Sequence, residues 1–276
     1  MDGGVTSRLA LKEWGDPGRP GILLWPGLGS TAAYFAGLAS TLPGRAVAVD
    51  PPGFGTSPAL DPCTFARLVE LARAVADEKE CVAMVGHSLG AYVALGVGRE
   101  PPVGVRAIVL IDGGFMTPTD LVELGMPILS GRAELVSFIE ANQLRYPDWG
   151  SATRKVAELL GAEPTPTVEA YIREVLVEVD GEVRERPSAE RAADLLLAVA
   201  GEDVVALGAS LKVPTLLIAC GQPAARRPMR EKAWRAFVGA SPLVELHVGE
   251  GWGHNPLLQA PEASSALIAN WLAAHI

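Results

Sequence analysis

The segment VAMVGHSLG, residues 82–90, constrains this chain more than any other stretch. Four apolar residues of β type run into Gly86-His87-Ser88-Leu89-Gly90. That pentapeptide matches G-x-S-x-G, in which a serine occupies a strained strand-to-helix turn with its Oγ held clear of the backbone. The two glycines have a steric task, because neighbouring backbone passes too close for a Cβ. AYVALGVG follows, with the pattern of a buried helix rich in small residues. A serine in an ordinary glycine-rich turn is the plain alternative, and the strand before and helix after it weigh against that.

On either side, apolar runs alternate with helical periodicity. Residues 5–14 partly alternate and predict one or two antiparallel edge strands. Ile22-Leu23-Leu24-Trp25 predicts a short buried strand that stops at Pro26-Gly27-Leu28-Gly29-Ser30, before a helix over about 31–42. That loop lacks the lysine of a phosphate-binding G-x-x-x-x-G-K-[ST], and G-x-G-x-x-G is absent, which disfavours nucleotides. RAVAVD, residues 45–50, predicts the next strand, and the proline and glycine content of residues 51–58 gives a rigid loop. Asp50 is expected to pin that loop through turn amides. A helix over 64–78, the strand at 82–85, its helix ending at Pro101-Pro102, and a strand over 105–111 follow.

From residue 113 to about 210 the rhythm is helical, with segments at 119–125, 132–145, 151–161, 167–177 and 188–208. Prolines 127, 147, 164, 166 and 187 break them, and Asp180-Gly181 marks a small hairpin. Strand pattern resumes at 213–220 and 243–248, and a last helix covers 261–275. The expected architecture is α/β: a doubly wound, mainly parallel sheet with an inserted helical cap. The core is assigned to 1–113 and 211–276, the cap to 114–210.

Composition narrows the partners. A net charge of −9 over 276 residues argues against nucleic acid or an anionic membrane surface. Cys63, Cys81 and Cys220 match no metal spacing and read as reduced thiols, so no metal or cofactor is expected. No leader sequence or membrane span is visible, and a cytoplasmic location is the expectation. A small molecule is the expected partner, and oligomeric state is not legible.

Ligands of such sheets bind outside the C-terminal strand ends, so the loops after residues 25, 85, 111 and 248 should converge. Ser88 needs a base, since a hydroxyl is a poor nucleophile until its proton is taken. Of four histidines, His87 is fixed in the turn and His247 lies within a strand. His275 is penultimate, whereas His254 occupies the glycine-rich loop GEGWGHNP. His254 is therefore the expected base. The base needs a carboxylate. Residues 221–227 contain none, so Asp112, at the end of the strand after that of Ser88, is the candidate, with Glu250 in reserve. Backbone N–H groups of Leu28 and Leu89 would stabilise an oxyanion. Trp25, Met116, Met126, Phe138 and Trp149 are candidates for lining an apolar pocket, with Ile128 and Leu129 nearby in the cap.

In order, WPGLGS, DPPGFGTS, GHSLGA, LIDGG and GWGHNPLLQAPE resemble the α/β-hydrolase superfamily over nearly the whole chain. The resemblance is to serine esterases and lipases with a helical cap. It implies hydrolysis of small to medium, largely apolar carboxylic esters through Ser88, His254 and Asp112. The sequence departs from the family at Pro26-Gly27, where His-Gly is common, and at 221–227, where the acid usually falls. Some lipase-like members carry the acid one strand earlier, which corresponds to Asp112. Lactonase, thioesterase, carbon–carbon bond hydrolase and perhydrolase chemistry remain open, as does a hydrolase-fold protein that only binds its ligand.

Overall fold

Five segments of this chain are buried along all or nearly all of their length, and they form the middle of one sheet. They are β2 (Gly21–Trp25), β3 (Arg45–Val49), β4 (Cys81–His87), β5 (Ala107–Ile111) and β9 (Thr215–Cys220). In β4 only Val82 is partly exposed. Continuous apolar runs of this kind belong to strands covered on both faces. β1 (Leu11–Trp14) and β10 (Val244–Gly249) form the edges, in the order β1-β3-β2-β4-β5-β9-β10. β1 is antiparallel to β3, and every other pairing is parallel. The computed structural model describes residues 9–186 and 188–276, so residues 5–8 of the expected edge-strand segment and the break at Pro187 lie outside the described residues.

Two apolar layers flank the sheet. Leu68, Val75, Val93, Val97 and Phe237 belong to one, contributed by α2 (Phe65–Glu78), α3 (Leu89–Arg99) and α10 (Arg227–Gly239). The other contains Leu38, Leu257, Ile268 and Leu272, from α1 (Ala36–Ala39), α11 (Pro256–Gln259) and α12 (Pro261–His275). The chain leaves β2 outward to β3, then returns to place β4 on the other side of β2. That reversal opens a crevice above the carboxyl ends of β2 and β4, the usual ligand position in such sheets.

Between β5 and β9 the chain forms α4 (Pro118–Glu123), α5 (Arg132–Asn142), α6 (Trp149–Leu160), α7 (Pro166–Val175), α8 (Ala189–Ala200) and α9 (Val204–Ala209). A second, antiparallel sheet lies among them: β6 (Arg145–Tyr146), β7 (Leu176–Val179) and β8 (Glu182–Glu185), in the order β6-β8-β7. The hairpin at Asp180-Gly181 forms as expected, with both residues at positive φ (54° and 81°), the requirement of a tight hairpin turn. Strand β6 has no counterpart in the sequence reading, since two residues carry no periodicity.

Two helical expectations are corrected. Residues 31–42 form a 3-10 turn, Ala32–Phe35, capped by the Thr31 hydroxyl, and the one-turn α1, which contains the weak helix former Gly37. Residues 188–208 form two helices rather than one. The break falls at Gly201, and the Asp203 carboxylate starts α9 by accepting the N–H groups of Val205 and Ala206. Among the described residues no helix is long and apolar enough to cross a membrane.

Candidate active site

Ser88 stands between β4 and α3 with φ 53° and ψ −116°, a conformation that a non-glycine residue holds only under constraint. Its surroundings supply that constraint. The Ser88 N–H donates to the Ile111 carbonyl at 2.8 Å, and the Ser88 carbonyl accepts from Ala91 at 3.0 Å. A Cβ on Gly86 would overlap the Gly90 carbonyl, and one on Gly90 would overlap that of Trp25. Only glycine lets α3 start this close to the ends of β2 and β4.

His254, in the loop after β10, reaches back over the sheet edge. Its Nε2 lies 3.0 Å from the Ser88 Oγ, and its Nδ1 lies 2.7 Å from the Asp112 Oδ2. An ionised carboxylate only accepts, so Nδ1 carries the proton and donates it to Asp112. The Nε2 lone pair is thereby free to accept from the serine hydroxyl. Asp112 follows β5 at φ 47°, a left-handed turn that Asp tolerates. Its second oxygen, Oδ1, accepts the Cys220 N–H at 2.9 Å and pairs with the buried Arg230 guanidinium from α10. Burial by itself would raise this carboxyl. The His254 hydrogen bond and charge, the Arg230 charge and the Cys220 amide outweigh burial and hold it below the usual carboxylate range.

The remaining candidates sort themselves by position. Glu250 points into solvent and pairs with Arg227, so it has no place beside His254. His247 packs on Trp252, and His275 stacks on Trp271. Asp50 pins its loop as expected, accepting the Ala32 and Thr56 N–H groups at 3.0 Å each. His87 has a part the sequence did not reveal. Its Nε2–H donates to the His254 carbonyl at 2.7 Å, and its ring stacks on Tyr34 at 4.4 Å. Burial, with the nearby His254 charge, drives its pKa down to about 3, so the ring stays neutral.

Leu28 and Leu89 stand beside Ser88, and among the described residues neither backbone N–H has a partner within the chain. Tyr171 of α7 donates to the buried Ser30 hydroxyl at 3.1 Å, tying the helical region to the Leu28 loop. A cavity of 380 Å³ opens on one side of Ser88 and His254, lined by Met116, Leu121, Leu124, Met126, Leu196 and Val199. Met116 and Met126, two of the pocket candidates from the sequence, are among these residues.

The structure corrects the other three pocket candidates. Trp25 is fully buried in the core beside the sheet. Phe138 sits on the outer side of α5, 39% exposed, since helical spacing does not tell which flank of a helix meets the cavity. Trp149 lies at the surface, donating to Glu178 beneath Arg173. Ile128 is buried in the cluster that includes Leu121 and Leu135 but does not line the cavity, and Leu129 is exposed. Leu196 and Val199 were missed because they belong to a helix whose whole inner face is apolar. Arg230 carries no signal in a helix otherwise rich in surface charge. Among the described residues, no group of three or more His, Cys, Asp or Glu is placed to hold a metal.

Neutral His87 makes stability depend on pH. Between about pH 6.5 and 3 the unfolded chain takes up a proton at this residue that the folded chain refuses, so folding weakens as pH falls, by about 1.4 kcal/mol per unit. His87→Gln keeps an N–H donor but cannot titrate. Urea unfolding between pH 6 and 4 should show a shallower slope for the variant by about that amount. Asp112 adds its own loss of stability as the pH falls through the usual carboxylate range and below, and it does so in both proteins. Equal slopes would contradict a buried neutral ring.

Among solved structures, the chain is similar to E-2-(acetamidomethylene)succinate hydrolase at 21% identity and a TM-score of 0.74, over 96% of this chain and 95% of that one. An enol-lactonase from Burkholderia xenovorans LB400 is similar at 19% identity and a TM-score of 0.68, over 96% of each chain. The thioesterase domain from the curacin biosynthetic pathway matches at 19% and 0.68, over 94% of each. At such identities these likenesses speak for the fold. Residues 22–267 match the sequence profile of the alpha/beta hydrolase family, and the chain belongs to that family.

Proposed function

We propose that this protein is a serine hydrolase that opens carboxylic esters of small to medium size with a largely apolar half, through an acyl-enzyme on Ser88. The observation that carries the reading is the unbroken hydrogen-bond chain from Ser88 through His254 to Asp112, at 3.0 and 2.7 Å. Each link has a chemical task. As the Ser88 Oγ attacks the ester carbonyl, His254 Nε2 removes its proton, and Asp112 stabilises the imidazolium that results. The charge that develops on the carbonyl oxygen is met by the free N–H groups of Leu28 and Leu89, a contribution of about 3 kcal/mol for each donor. His254 then returns the proton to the departing alcohol. Water, deprotonated by the same nitrogen, releases the acid.

Arg230 and Cys220 keep Asp112 ionised and acceptor-only, so His254 retains the tautomer that the first step needs. Asp112→Asn removes that control while changing little volume. It should lower kcat on p-nitrophenyl acetate about 10⁴-fold with KM nearly unchanged. Activity within tenfold of the parent would take the role from Asp112.

The methionine- and leucine-lined cavity of 380 Å³ supports the apolar preference. Each additional methylene buried there is worth about 0.8 kcal/mol, or about fourfold in kcat/KM. A p-nitrophenyl ester series from acetate to hexanoate should climb at about that rate. Leu196→Trp, which fills the cavity, should flatten the climb. A series that is flat in the parent would count against an apolar acyl or alcohol group.

A further inference from the structure

A second cavity, of 240 Å³, adjoins Ser88 and His254 on the side opposite the methionines, beneath the small sheet β6-β8-β7. Seven Leu and Val side chains make its apolar wall, and beside Ser30, Tyr171 and Asn255 it contains a carboxyl and a hydroxyl that the mechanism leaves unused. Glu185, at the end of β8, lines it, and among the described residues its carboxyl makes no hydrogen bond or ion pair. Burial pushes the Glu185 carboxyl up from the usual range, and among the described residues no neighbouring charge offsets it. Tyr146, on β6, also lines the cavity, and its buried hydroxyl has no partner among the described residues.

Strand register places these two groups on one face. Tyr146 lies opposite Val183 across the β6-β8 pairing, and Glu185 follows Val183 by two residues. Residues two apart point the same way, so Tyr146 and Glu185 are diagonal neighbours on the face turned to the cavity. Arg184 alternates to the opposite face, across from Arg145, and so gives Glu185 no counter-charge. A carboxyl and a hydroxyl left unpaired in a half-buried site are costly, and such groups persist where something else completes them.

The geometry points to a substrate-recognition subsite for a primary ammonium group, held by Glu185 and Tyr146 and carried on the half of the ester that does not enter the methionine-lined cavity. This rests on the reading of Ser88 as an ester-cleaving nucleophile. An ammonium supplies what the cavity lacks: one positive charge for the Glu185 carboxylate and further N–H donors for the Tyr146 oxygen. The faces of Tyr146 and Tyr171 add attraction for a cation. A neutral alcohol brings one donor and no charge. An anion would face the Glu185 carboxylate with no Lys or Arg in the lining to offset the repulsion. The substrate class is thus an ester that is apolar at one end and carries a free amine at the other.

The test is calorimetric titration of the native protein with n-hexylammonium chloride and with 1-hexanol at pH 8. The ammonium should bind at least tenfold more tightly than the alcohol. Glu185→Gln should erase that preference while hexanol still binds, which shows that the fold is intact. Tyr146→Phe should reduce the preference about threefold. Equal binding of the two ligands, no binding of the ammonium, or a preference that survives in Glu185→Gln would overturn the subsite. The hydrolase reading is scored separately, by fluorophosphonate labelling of Ser88. A protein that prefers the ammonium but takes no label keeps the subsite and loses the hydrolysis.

Discussion

The buried carboxylate of Asp112 holds the site together. It stands at the end of β5, accepts an amide from the end of β9, pairs with a guanidinium from α10 and receives the Nδ1 proton of a loop that follows β10. Three separate stretches of chain therefore converge on the two oxygen atoms that β5 holds out. A carboxylate this deep is tolerable only when such partners replace its lost hydration. Charge, burial and loop position are thus one constraint. Removing Arg230 or displacing the Cys220 amide would leave Asp112 short of what keeps it ionised, and the orientation of His254 depends on that state.

The same network explains an unusual feature of the chain, the lack of an acid after β9. β5 and β9 are adjacent parallel strands, with Ile111 opposite Ile218. A carboxylate at the end of either strand stands on the same rim, within reach of the loop after β10. Here β9 contributes a backbone amide to Asp112 in place of a side chain of its own. His87 supplies a matching constraint from the other side. Its donated hydrogen bond fixes the backbone of the residue whose ring Asp112 orients, so His254 is held both at its carbonyl and at Nδ1.

Much of this was legible in the sequence, for a physical reason. Strands buried on both faces are continuous apolar runs, and the turn at Ser88 demands glycine at fixed positions. The core strands, the order of the parts, Asp50 as a loop pin and the meeting of Ser88, Asp112 and His254 could all be read from residue type and order. What failed was direction around a helix or strand. Trp25, Phe138 and Trp149 are all apolar, yet Trp25 is interior, Phe138 is exposed on α5, and the half-buried Trp149 turns its N–H to Glu178. The partners of Asp112 were also illegible: one is a backbone amide, with no side-chain identity, and the other is one arginine in a basic helix. Tyr146 and Glu185 escaped notice because the two-residue strand that pairs them has no period to detect.

The central claim is that the Ser88 oxygen becomes a nucleophile and carries the acyl group. Acid-quenched reaction with p-nitrophenyl acetate, followed by mass analysis of the intact protein and of its peptides, tests this most directly. The account predicts one acetyl group per chain, located on Ser88, and its disappearance in Ser88→Ala. Turnover with no acetylated protein at any quench time, or acetyl on a different residue that persists in Ser88→Ala, would contradict it.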